Sequence, residues 1–206
     1  IDIIEKVQEQ IEEWVEIEEE QVEVEEWVEI EEEQVEIEIE ELEPELALGV
    51  DMSNMERKQL AITNASASSI LPTWQHKTYV PNNTLDGDTG TAWVENASGM
   101  GIGEWIEYYF SSTEVVQEIQ FYNGYGAVFD TNGVLSKVAI SLSGGETFLY
   151  SVGGHWNTLV LPYALETTSV RLTIVEAYTN QHQDTCISET VIYNKSNENP
   201  TPRIYN

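Results

Sequence analysis

The chain reads as an all-β fold, a β-sandwich preceded by an acidic leader, and three observations predict it. Past residue 60 the sequence falls into short runs rich in Val, Ile, Thr and aromatics. Within the runs apolar and polar residues alternate with a period of two, as in a half-buried strand. Gly, Asn, Asp or Pro separates the runs, and no helical period intervenes. The strand runs, in order, are ITNASAS (62–68), AWV (92–94), GEWIEYYF (103–110), VVQEIQFYNG (115–124), KVAISL (137–142), ETFLYSV (146–152), WNTLVL (156–161), SVRLTIVEAY (169–178) and CISETVIY (186–193). Many short strands at this spacing indicate a sandwich.

The alternation names the core faces. Ile106, Tyr108 and Phe110 point one way, and Trp105, Glu107 and Tyr109 the other. Similar faces recur in Ile119 with Phe121, in Val138 with Ile140 and Leu142, and in Val170 with Leu172 and Ile174. In the last strand Ile187, Val191 and Tyr193 share a face, and Glu189 falls on it too. A carboxylate turned inward is costly unless something pairs with it or coordinates it. A bound cation explains it; so does an edge strand whose face is wet.

The leader, residues 1–46, holds 22 of the 38 acidic residues and one of the eight Lys and Arg of this 206-residue chain. Two copies of a thirteen-residue unit sit inside it, WVEIEEEQVEVEE (Trp14–Glu26) and WVEIEEEQVEIEI (Trp27–Ile39). A period of thirteen keeps neither a helix stripe nor a strand face in register. The expectation is a solvated helix or coil, broken at Pro44, that acts as a spacer because packed like charges resist collapse. Residues 47–60 read as a connector, 61–194 as the globular body and 195–206 as a polar tail. The first residue is Ile, so a piece of a longer polypeptide is expected.

The remaining 160 residues carry 16 acidic against 7 basic side chains. No basic patch follows a phosphate backbone, so nucleic acid is not an expected partner. No run of eighteen apolar residues provides a membrane span, and no direct membrane insertion is expected of this stretch. The single cysteine, Cys186, lies in a strand run, excludes an intramolecular disulfide and reads as a small buried hydrophobe.

The chemistry concentrates in Asn83–Phe110. The LDGD turn sets two carboxylates, Asp86 and Asp88, about a glycine that can take positive φ. With the Thr91 hydroxyl and nearby carbonyls these oxygens could supply most of the shell of Ca²⁺, a hard cation that takes about six to eight oxygen ligands. An ordinary Asp-Gly turn is the other interpretation. Glu104 and Glu107 resemble an acid/base pair, but three residues apart in a strand they face opposite ways, and no Ser-His-Asp order, phosphate loop or HExxH is present. A catalytic role is not expected.

Taken together, ASASSILP, NNTLDGDTGTAWVE, GMGIGEWIEYYF, IQFYNGY, Asn132 and DTCISETVIY resemble, in order and spacing, the glycan-binding domain found beside bacterial NAD glycohydrolases. That group is similar to the wider discoidin-like set of coagulation-factor type C domains and carbohydrate-binding modules. The resemblance covers Ala61–Asn194. It implies a galactose-binding-like jelly roll with ligand loops at one end, and a structural Ca²⁺ on Asp86 or Asp88, Thr91 and Glu189. It further implies a non-catalytic glycan-binding module of a bacterial surface or secreted protein. The alternative is a protein-binding or adhesion domain on the same fold. A sugar site needs an aromatic platform beside planar hydrogen-bonding groups. Tyr125, Trp93 and Trp74 are the candidate platforms, and Asn123, Asn132, Glu95, Asp184 and His76 the candidate partners for hydroxyls.

Overall fold

The structure, a computed structural model, describes residues 50–126, 131–179 and 181–198. The leader, with its expected helix or coil and the break at Pro44, lies outside them, as does the end of the tail.

The body is all-β. Its strands are β1 (Asn64–Ala67), β2 (Trp93–Val94), β3 (Trp105–Asn123), β4 (Val134–Leu142), β5 (Thr147–Ser151), β6 (Trp156–Tyr178) and β7 (Cys186–Tyr193), with one 3₁₀ turn at Pro81–Leu85. Hydrogen bonds run along the path β2-β7-β3-β6-β4-β5, and β1 adds to β3. All the strand ladders are antiparallel.

Two pairs of runs that the sequence divides are each one strand. GEWIEYYF and VVQEIQFYNG are continuous in β3, and WNTLVL and SVRLTIVEAY are continuous in β6. The long β3–β6 ladder bends instead of breaking, with register shifts between Tyr109 and Glu114 and between Val116 and Glu118. Bulges let one strand pass from sheet to sheet without losing its partner, and Pro162 sits in the stretch of β6 opposite the second shift, where no ladder hydrogen bond is needed from it. The early half of β3 therefore joins β1 and, through β6, reaches β4 and β5. The late half joins β7 and β2.

The inward faces of both halves fill a single core. Ile106 and Tyr108 from the early half of β3 meet Ile119 and Phe121 from the late half, with Val138, Ile140, Val170, Leu172 and Ile174. The core faces expected from alternation in β3, β4 and β6 are all buried. Tyr108 ties the two halves through its hydroxyl, which accepts from Thr84 at 3.1 Å and shares a hydrogen bond with Thr190 at 2.7 Å.

Strand β7 departs from the expected alternation. Asn123 pairs with Ile187 but Tyr122 pairs with Glu189, so Ser188 is an extra residue in a bulge. Ile187 and Ile192 both reach the core. Glu189 consequently lies on the opposite face to Ile187, along with Val191 and Tyr193. It is nevertheless only 6% exposed.

The connector is woven into the sheet. Leu60 N–H donates to the Ile192 carbonyl, and Lys58 and Asn194 exchange bonds through Lys58 N to Asn194 Oδ1 at 2.7 Å and Asn194 N to the Lys58 carbonyl at 3.1 Å. Lys195 donates to the carbonyls of Met52 and Met55. Glu118, 1% exposed, pairs with Arg57 at 2.6 Å and accepts from Ser196 at 2.6 Å, while the Arg57 guanidinium stacks over Tyr193. This clasp neutralises a carboxylate that would otherwise be buried with only the neutral Gln120 amide, at 2.8 Å, beside it. Arg57→Met should lower stability by about 3 kcal/mol, the scale for stranding a buried charge. A urea melt reads it directly, and an unmoved midpoint would show that the clasp holds nothing.

Candidate functional site

Three connections meet at one end of the sandwich: β1 to β2, β3 to β4, and β6 to β7. They enclose a cavity of about 350 Å³. Its floor is a second apolar cluster, in which Leu71 and Tyr125 pack on Tyr79, Ala92, Val94 and Cys186. Tyr79 and Tyr125 stand edge to face with centroids 6.3 Å apart. Trp74, Lys77, Thr131, Asn132, His182 and Asp184 complete the wall. Backbone bonds stitch two of the connections together: Gln181 and His182 N–H both donate to the Thr131 carbonyl, and Gly133 N–H to that of Asp184.

Trp74 and Lys77 end a two-residue hairpin, each N–H donating to the other's carbonyl at 3.1 and 2.9 Å. Its central residues, Gln75 and His76, have φ of 48° and 67°. Such a turn ordinarily calls for Asn-Gly, so two residues with side chains hold it under strain. It leaves Trp74 61% exposed at the mouth of the cleft.

Of the ligand residues expected from the sequence, Trp74, Tyr125, Asn132 and Asp184 line this cleft. His76 is the exposed tip of the hairpin. Trp93, Asn123 and Glu95 are all fully buried, and a place for them on the ligand rim does not hold. The indole N–H of Trp93 donates to the Ser69 carbonyl at 2.9 Å beneath the core. Asn123 clamps β3 to the start of β4, its amide bonding both the carbonyl and the N–H of Leu135 at 2.9 Å. Glu95 accepts from Ala97 N–H and Thr185 N–H, which ties β2 to the start of β7. Burial raises its carboxyl, against the pull of those two N–H groups. Cys186 is buried as expected, and burial pushes its thiol up to about 12, so it stays protonated.

Beside the cleft the 86–91 turn meets β7. Asp86 Oδ2 accepts from the Thr91 hydroxyl at 2.7 Å and Oδ1 from Asp88 N–H at 2.9 Å. The same hydroxyl lies 3.2 Å from the Asn83 carbonyl and 3.0 Å from that of Asp88. Glu189 faces Asp86, and its Oε1 is buried with no hydrogen-bond partner. Burial first, and Asp86 second, push the Glu189 carboxyl up to about 7. Burial also works to raise Asp86, but Thr91, the Asp88 N–H and Glu189 outweigh it and hold Asp86 below its usual range. One proton thus settles on Glu189 while Asp86 stays ionised. Asp88 turns away: it is exposed, and its Oδ1 accepts from Gly90 N–H at 2.8 Å. Among the described residues no three His, Cys, Asp or Glu side chains are grouped to hold a metal; the oxygen set here has two carboxylates, one hydroxyl and carbonyls. Gly126 presses against this turn, close enough that an added Cβ would lie 2.1 Å from the Thr89 carbonyl oxygen.

Neither glutamate of the apparent acid/base pair is free. Glu107 pairs with Arg171 at 2.7 Å and accepts from Ser169, which together outweigh its burial and keep it ionised. Glu104 accepts from Ser68 and Ser69.

A family model described as the NAD glycohydrolase translocation F5/8 type C domain matches residues 57–193. The chain belongs to this family. Among solved structures, it is similar to chitosan-binding module 1 of a chitosanase/glucanase from Paenibacillus sp. IK-5, with 19% identity and a TM-score of 0.52 over 67% of this chain and 99% of that one. It is also similar to the family 32 carbohydrate-binding module of NanJ from C. perfringens, solved with galactose, with 16% identity and a TM-score of 0.51 over 67% and 99%. A truncated AlyQ with CBM32 and alginate lyase domains gives 22% identity and 0.52 over 67% and 33%. At these identities the likeness shows the fold, the discoidin-like jelly-roll sandwich. No curated protein sequence matches the chain.

In this member of the translocation-domain family, sequence reasoning missed Lys77, and it gave His182 no role. Residues in a loop disclose no direction, and only the turn formed by Gln75 and His76 brings Lys77 round to Tyr125, with its ammonium 5.7 Å from the ring centroid.

The paired carboxyls make stability depend on pH. Glu189 titrates near 4.5 when unfolded and near 7 when folded, so between those values the folded chain holds the extra proton. Stability from this group is complete at the acid end and is lost as pH rises through the window. The metal-free chain should melt at progressively lower temperature from pH 5 to pH 7.5, and Glu189→Gln should flatten that slope. Equal slopes in both proteins would exclude the pairing.

Proposed function

We propose that this domain is a non-catalytic glycan-binding module whose ligand lies in the cleft between Trp74 and Tyr125. The carrying observation is the exposed Trp74 indole at the mouth of an apolar-floored cleft that also presents Asn132 and Asp184. A sugar offers apolar C–H faces and a rim of hydroxyls, and this wall offers aromatic faces beside an amide and a carboxylate. The kinship with structures of carbohydrate-binding modules supports the same reading. The partners found for Glu104 and Glu107 favour a binding over a catalytic role. A secreted or surface setting accords with the family's description, and no helix among the described residues is long and apolar enough to cross a membrane.

The description of the family as a translocation domain favours a second reading, a protein-binding surface on the same fold. A glycan array probed with the whole chain separates the two. Selective binding that Trp74→Ala weakens about tenfold or more, the loss expected on truncating an aromatic anchor, supports the sugar site. A blank array would sink it and leave the protein partner.

We also propose a structural Ca²⁺ on Asp86, Thr91 and Glu189. The orphaned Glu189 Oε1, aimed at a turn already rich in oxygens, supports it. When bound, the ion would balance two carboxylates that otherwise share a proton, while Asp88 serves its own turn. Calcium should raise the melting temperature and a chelator lower it, and Glu189→Gln should abolish the difference. Identical melts with ion and chelator in the unaltered chain would remove the site.

A further inference from the structure

We propose that the cleft takes an anionic saccharide, one bearing a carboxylate or a sulfate, and that Lys77 selects it; this rests on the glycan-binding reading above. Arg57, Lys137 and Arg171 are each committed to a carboxylate, and Lys195 to two backbone carbonyls. Lys77 joins none of these ion pairs, and neither does Lys58, which lies in the connector ahead of β1 and does not line the cleft. Its ammonium stands over the Tyr125 ring at 5.7 Å from the centroid, at the cleft itself.

The hairpin explains how it gets there. Trp74 and Lys77 form an isolated antiparallel bridge, and residues directly opposite in such a pair carry their side chains on one face. The Trp74 and Lys77 side chains therefore leave the hairpin on the same face, and both line the cleft. The turn that arranges this places Gln75 and His76 at positive φ, a cost that persists where a binding geometry requires it. A sugar ring lying on Trp74 brings a ring substituent within reach of Lys77.

Electrostatics make the choice of ligand specific. Residues 47–206 carry 16 acidic and 7 basic side chains, so the field of the body repels anions. A neutral glycan would need no cation at the platform, whereas an anionic one needs its charge met locally. Lys77 meets it through a charge-assisted hydrogen bond, while Asp184, on another connection, lines the same cleft and can accept from hydroxyls.

The test is calorimetric titration of the whole chain with matched oligosaccharides: uronic acid oligomers against their carboxyl-reduced forms, and sulfated oligomers against their desulfated forms. In at least one series the charged member should bind roughly tenfold tighter, the lower end for a hydrogen bond to a charged group. The series in which it does so tells carboxylate from sulfate. Lys77→Gln should bring the charged member down to the affinity of its neutral counterpart, Lys77→Arg should keep most of the preference, and added salt should weaken the charged member more than the neutral one. Lys77 is exposed, so a melt matching the parent's is expected of both variants. If neutral members bind as well, still lost with Trp74→Ala, or if Lys77→Gln keeps the preference, anion selection falls and glycan binding stands. If no member binds, both fall.

Discussion

The antiparallel ladder between β3 and β6 is the constraint on which the rest of the molecule depends. Thirteen residue pairs, set in three runs, hold the two strands together while both bend from one layer of the sandwich to the next. Their two halves supply the inner faces of both layers, and the remaining strands attach to their edges. A backbone ladder satisfies its own polar groups wherever it runs, so it can cross the core boundary at little cost. The Tyr108 hydroxyl, held by Thr84 and Thr190, then pins the layers at the end nearest the 3₁₀ turn.

Much of the fold was legible because alternation reports a buried face directly. Ile106, Tyr108 and Phe110, and likewise Val170, Leu172 and Ile174, are buried as their spacing says. Continuity was not legible. Ser111, Ser112 and Thr113 look like a break, yet the chain bends through them without leaving the sheet. Glu189 shows the limit most clearly. It is buried near Asp86, as expected, but through a bulge at Ser188 that reverses its face and a turn that covers it from outside. A bulge has no signature in a period of two, because it is the point where that period fails.

The site divides along the same line. Trp74, Tyr125, Asn132 and Asp184 flank turns or punctuating glycines, and such residues reach the end of a sandwich whatever the packing inside. Trp93, Asn123 and Glu95 have the same chemistry and flank the same turns. They went inward because backbone groups of Ser69, Leu135, Ala97 and Thr185 needed partners there. Composition cannot tell a polar side chain that waits for a ligand from one that already has the backbone as its ligand. Lys77 was silent for a related reason: its direction depends on a hairpin that neither of its central residues favours.

Gly126 has a consequence out of proportion to its size. It rests against the Thr89 carbonyl with no room for even a methyl group, one residue from Tyr125 and three from Asp86 across the gap. The acidic corner and the residue after Tyr125 are thus in direct backbone contact, and any side chain at position 126 would have to push them apart. Gly126→Ala should therefore displace the turn that carries Asp86 relative to the Tyr125 ring.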